Sequence, residues 1–168
     1  MPQKPNSKPP HPQTGSSRII QRSKSPDLGA LGEELVAQWL QEHGWRLLER
    51  RWHCRWGELD LVIAQIDPAN PACCLSIAFV EVKTRSQGNW DADGVLALTC
   101  RKQAKLWKAA QLFLADHPHL AELPCRFDVA LVTCYPAKTD VSGKREAALV
   151  TANYHLILQD YIPSAFTL

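Results

Sequence analysis

The first ordered pattern in the chain is helical. Leu28, Leu31, Leu35, Val36, Trp39 and Leu40 recur at the spacing of one apolar stripe. Asp27 offers an N-cap and Gly44 a terminator, so a helix is predicted over about 27–43. The period then shortens toward two. Residues 45–52 form a mixed apolar and basic strand-like run. Residues 58–66 alternate, which places Leu59, Leu61 and Ile63 on one face and Glu58, Asp60, Val62 and Ala64 on the other. Residues 75–84 alternate again, with Ile77, Phe79, Glu81 and Lys83 opposite Ala78, Val80 and Val82. Turn-forming residues at 55–57 and 67–71 separate the three runs.

A loop over 86–94 leads to a second predicted helix at about 98–117, closed by Pro118. Gln103, Trp107, Ala110 and Leu114 are expected on its apolar side, and Arg101, Lys105 and Lys108 form a basic face. Residues 126–133 read as a fourth strand, 136–146 as a polar loop and 148–162 as one or two edge strands. Local strand pairing followed by a helical crossover predicts an α/β fold, a mixed sheet flanked by helices.

Composition narrows the class without changing this order. The chain has 168 residues, 45% hydrophobic and 21% charged, which suits one globular domain and excludes a wholly disordered, collagenous or coiled-coil protein. No apolar run approaches the roughly 20 residues of a membrane span, so a soluble, cytoplasmic protein with no membrane partner is expected. The net charge of +2 conceals a division. Residues 1–26 carry five basic residues, no acid and half of the 12 prolines, and read as a disordered tail ahead of a domain over 27–168. A solubilising role for the tail is the plainer reading, and loose contact with polyanions the sharper one. The six cysteines include no CxxC pair and four of them fall in apolar surroundings, so free thiols in a reducing compartment are expected rather than disulfides or structural zinc.

Charge inside the third strand is the anomaly. Glu81 and Lys83 interrupt an otherwise apolar run and project from one face about 6.6 Å apart. Burying either alone would cost several kcal/mol, so they need one another, a metal or a solvated cleft. Glu58 and Asp60 repeat the anomaly on the preceding strand, with Asp60 lying 21 positions before Glu81. Two carboxylates can hold a hydrated Mg²⁺ (or Mn²⁺), and a lysine beside them can orient water or neutralise charge developing on a phosphate. A salt bridge at a strand end is the bland alternative, which the coincidence of the two pairs disfavours. On the first helix, Glu33 and Glu34 fall on opposite margins of the apolar stripe, and the helical wheel does not choose between them.

Gly32-Glu33, Gly57-Glu58-Leu59-Asp60-Leu61-Val62, Phe79-Val80-Glu81-Val82-Lys83-Thr84-Arg85, Lys102-Gln103 and Arg126-Phe127-Asp128 resemble the successive motifs of the bacterial YraN-like family. That family has the restriction-endonuclease-like, PD-(D/E)xK, fold and is similar to archaeal Holliday junction resolvases. The resemblance covers about 29–132. It implies that Asp60 and Glu81 bind the metal, that Lys83 is the catalytic lysine and that Glu33, on the first helix, completes the site as a further metal residue. Arg51 departs from the pattern, standing where many members have Asn, and the connection over 65–75 is longer than usual.

Around this core, Gln103 is weighed between site support and an ordinary helix start. Arg50, Arg51, Arg55, Arg85 and Lys102 are candidate phosphate contacts near the acidic strands. Trp52, Trp56 and Trp90 are weighed between stacking on unpaired bases and the core. The expected function is metal-dependent hydrolysis of phosphodiester bonds in nucleic acid, with branched DNA among the candidate substrates. The alternatives are a non-catalytic nucleic-acid-binding protein of the same fold, serving DNA repair or uptake, and a cysteine-based redox or metal protein. A homodimer would match relatives that need two active sites.

Overall fold

The computed structural model describes residues 27–87, 98–139 and 146–166; the N-terminal tail and Trp90 lie outside them. Helix α1 (Leu28–Glu42) starts where Asp27 accepts the Ala30 N–H at 3.3 Å and ends ahead of Gly44, whose φ of +83° favours a residue without a Cβ. Strands β1 (Trp45–Cys54), β2 (Gly57–Asp67) and β3 (Asn70–Ser86) then form an antiparallel meander. Helix α2 (Cys100–Asp116) is capped by Thr99, which accepts the Lys102 N–H. It carries the chain across to β4 (Cys125–Pro136), which pairs parallel to β3. Strands β5 (Ala147–Val150) and β6 (Tyr154–Phe166) complete a six-stranded mixed sheet in the order β1-β2-β3-β4-β6-β5.

The alternation in β3 explains the layering. Ala78 and Val80 bury against Leu35, Val36 and Leu40 of α1, while Ile77 and Phe79 bury against Leu106, Ala109, Ala110 and Phe113 of α2. The two helices therefore cover opposite faces of the sheet. Helix α1 can lie close because position 32 is glycine: a Cβ there would run into the Thr84 hydroxyl and come within 3.2 Å of the Thr84 Cβ.

Four expectations need correction. Leu59 does not share a face with Leu61 and Ile63; it packs on the α2 side with Val62 and Ala64. The simple alternation breaks across Asp60, where the β2–β3 ladder has already ended at Leu61–Val80. Helix α2 is turned about one residue from the predicted stripe, burying Leu106 and Phe113 and leaving Trp107 40% exposed at the rim. The long β2–β3 connection is not a loop, because both strands extend until Asp67 pairs with Asn70 around Pro68-Ala69. Finally, Cys73, Cys100 and Cys125 are exposed rather than set in apolar surroundings, although all six cysteines are free as expected.

Candidate functional site

The end of the β2–β3 ladder creates the site. Past Leu61, a backbone acceptor for the Val82 N–H is replaced by a side chain: Asp60 Oδ2 accepts it at 2.8 Å. The strands part there, and the split brings Asp60, Glu81 and Glu33 within electrostatic reach although α1 and α2 lie on opposite faces. Burial above all, then the neighbouring Glu81 charge and a smaller push from Glu33, together raise the Asp60 carboxyl to about 7. The Val82 N–H and the Lys102 ammonium oppose this rise.

Glu81 is buried and asymmetrically satisfied. Lys83 Nζ and Lys102 Nζ both lie 3.2 Å from its Oε1. Its Oε2 is buried with no hydrogen-bond partner. A carboxylate held by two ammonium groups on one oxygen and left bare on the other is expensive unless a cation or water meets the second oxygen. Among the described residues, no group of three or more His, Cys, Asp or Glu side chains is gathered as a metal cage. Asp60 and Glu81 together instead suit a hard cation such as Mg²⁺, which commonly takes one or two carboxylates and keeps several waters.

Glu33 is already engaged. Arg51 donates from Nε to Oε2 at 2.7 Å and from Nη2 to Oε1 at 3.0 Å, a bidentate fork. The same guanidinium reaches Asp27 at 3.0 Å and lies 3.9 Å from Glu58. Glu33 and Asp27 hold Arg51 firmly protonated, the Glu33 bond being the largest cause, and Arg51 in turn holds the Asp27 carboxyl below its usual range. Arg51 has a φ of +49°, in the left-handed region that favours Gly or Asn over a long side chain. Its guanidinium thus serves as an internal counter-ion to the helix carboxylate, where a phosphate contact was expected.

Other expected contacts separate in the same way. Arg50 pairs with Glu34 at 2.6 Å, so the two first-helix glutamates face different arginines. Lys102, expected on substrate, stands on Glu81. Gln103, weighed as site support, donates to the Leu98 carbonyl at 2.9 Å and closes its own helix start. Arg85 is exposed, and Arg55 lies over the Trp56 ring. Trp52 packs edge-on against Phe113 at 5.5 Å and so belongs to the core.

The role of Lys102 had a legible signal. Positions 102, 106, 109 and 113 share one helical face, so Lys102 heads the buried stripe that was assigned to Gln103. Asp128 was likewise not distinguished. It is fully buried and accepts from Tyr161 Oη at 2.6 Å, from the Ser164 N–H at 2.8 Å and from Arg126 Nε. This network ties β4 to the bent end of β6.

The pattern of a family described as uncharacterised protein family UPF0102 matches residues 32–132. That stretch contains every carboxylate and lysine of the site. A UPF0102 protein of Acaryochloris marina is 49% identical to the chain, with 94% of this chain and 99% of the relative covered. One from Trichodesmium erythraeum is 47% identical, with 90% and 94% covered. One from a Nostoc species is 50% identical, with 83% and 94% covered.

Proposed function

Because the chain belongs to the UPF0102 family, whose description carries no activity, its chemistry has to be read from its own residues, and we propose that it is a metal-dependent nuclease with a restriction-endonuclease-like, YraN-type core. It hydrolyses phosphodiester bonds in nucleic acid, with DNA, branched DNA included, as the favoured substrate. The observation that carries this reading is the bare, buried Oε2 of Glu81 beside Asp60, with two ammonium groups on the other Glu81 oxygen.

Asp60 and Glu81 would hold the cation, Mg²⁺ or Mn²⁺. A divalent cation there supplies a Lewis acid for a phosphoryl oxygen and acidifies water beside it. Lys83, whose side chain is only 16% exposed, orients the attacking water. Lys102 is more open, at 40%, and is placed to neutralise charge that grows on the phosphate. Glu33 acts through the field it adds at Asp60, held in place by Arg51.

The test is a cleavage panel of single strands, duplexes, flaps and four-way junctions with Mg²⁺ and Mn²⁺. The intact protein is expected to cut at least one substrate, and Asp60→Ala and Lys83→Ala to cut none. Equal cutting by the variants refutes the assignment.

The Arg51 fork supports a second reading, a nucleic-acid-binding protein of the same fold without catalysis, since it occupies both oxygens of Glu33. Calorimetry separates the two. Undetectable Mg²⁺ and Mn²⁺ binding combined with salt-sensitive DNA binding selects the non-catalytic protein.

A further inference from the structure

A cleft of about 140 Å³ lies between the β1–β2 turn and the first half of α2, lined by Trp56, Gly57, Glu58, Lys102, Lys105 and Leu106. It borders the carboxylate site through Lys102, which lines the cleft while its ammonium stands 3.2 Å from Glu81. The walls have a divided chemistry. Trp56 and Leu106 offer an aromatic ring and an apolar side chain, and position 57 has no side chain to intrude. Cations also stand over the Trp56 ring. Lys108 Nζ sits 4.1 Å from the Trp56 ring centroid and the Arg55 guanidinium 5.4 Å, and the Lys105, Lys108 and Arg55 side chains are all exposed.

An aromatic surface beside exposed cations is the chemistry that receives a base and its flanking phosphates. We propose that this cleft is a subsite for one unpaired nucleotide next to the phosphate under attack. The base lies between Trp56 and Leu106, and Lys102 and Lys105 take the phosphates. Arg55 and Lys108 rest on the ring by cation–π attraction in the free protein. They turn to the strand's phosphates on binding, which uncovers the ring. A base locked in a duplex stack cannot enter such a cleft, so the preferred substrate carries a single-stranded or flapped segment. This inference rests on the nuclease reading and deepens it by naming the form of the substrate.

Binding is measured in EDTA, so that no cutting occurs, with a 12-nucleotide single strand and a blunt 12-base-pair duplex. Trp56→Ala is expected to weaken single-strand binding about 10-fold and to change duplex binding less than about 2-fold. Equal loss on both forms, or no loss on the single strand, overturns the subsite. If Trp56→Ala fails to fold, the unaltered protein decides through photocrosslinking to a strand carrying 5-iodouracil. A crosslink at Trp56 supports the proposal, and crosslinks elsewhere or none at all overturn it. Failure of the unaltered protein to bind either form overturns the nucleic-acid reading itself, an outcome distinct from binding that ignores Trp56.

Discussion

Replacing Asp60 by asparagine is expected to stabilise the protein at neutral pH while removing its response to Mg²⁺. Burial and the Glu81 charge raise the Asp60 carboxyl in the folded chain from an ordinary 3.8 to about 7. Folding therefore takes up a proton between about pH 4 and 7, and stability falls as pH rises through that window. Above about pH 7 the full cost remains. At about 1.4 kcal/mol per pH unit, the rise from 3.8 to about 7 corresponds to about 4 kcal/mol. Asparagine keeps an oxygen that accepts the Val82 N–H and loses the charge, so it recovers on the order of 2–4 kcal/mol at pH 8 and nothing below pH 4. In a domain of this size that is a rise in Tm on the order of 10 °C. Thermal melts of both proteins in EDTA from pH 4 to 8 read the Asp60 contribution together with its coupling to Glu81, because the other titrating groups are shared. Mg²⁺ added at pH 8 should raise the Tm of the parent and leave the variant unmoved. Parallel Tm–pH profiles for the two proteins would refute the account of the site as a place where buried negative charge is held at a cost.

Three other substitutions probe different parts of the arrangement. Arg51→Ala strips a nearly buried Glu33 of its counter-ion, and chemical denaturation should show a loss of about 2–4 kcal/mol. The same variant should bind Mg²⁺ more tightly by calorimetry, because the local negative potential rises. Gly32→Ala forces α1 away from Thr84 and should cost about 1–3 kcal/mol in the same denaturation assay, with slower cleavage as Glu33 is displaced from Asp60. Asp128→Ala leaves Arg126 and Tyr161 without their buried acceptor and should cost about 3–5 kcal/mol, with the heat of Mg²⁺ binding per folded molecule unchanged.

Local signals carried well from sequence to structure. The Asp27 cap, the Gly44 stop and the alternation of Ile77 to Val80 depend on neighbouring residues and a backbone period, and each appears where its pattern placed it. The break at Asp60 was not legible, because a period of two assumes an unbroken ladder and nothing local shows a side chain taking the place of a strand partner. Arg51 and Lys102 were noticed as basic residues near acids. Their partners, Glu33 and Glu81, are chosen by how far long side chains reach across separate elements. For α2, two apolar stripes one residue apart competed, and the packing of Leu106 and Phe113 under the sheet selected the one that carries Lys102 inward. Asp128 stands in the Arg126-Phe127-Asp128 motif beside one partner, but its burial was hidden because Tyr161 and Ser164 lie more than 30 positions away.

The one parallel pairing among the described residues, β3 with β4, bears on the order in which the molecule assembles. The β1–β2–β3 meander closes through short turns, so Asp60 and Glu81 can meet early from contacts close in the chain. Lys102 arrives only with the crossover helix, whose docking must wait for a much longer loop to close. A nascent chain thus holds its mutually repelling carboxylates before one of its two compensating ammonium groups is in place, and mild acid should speed the early steps of folding.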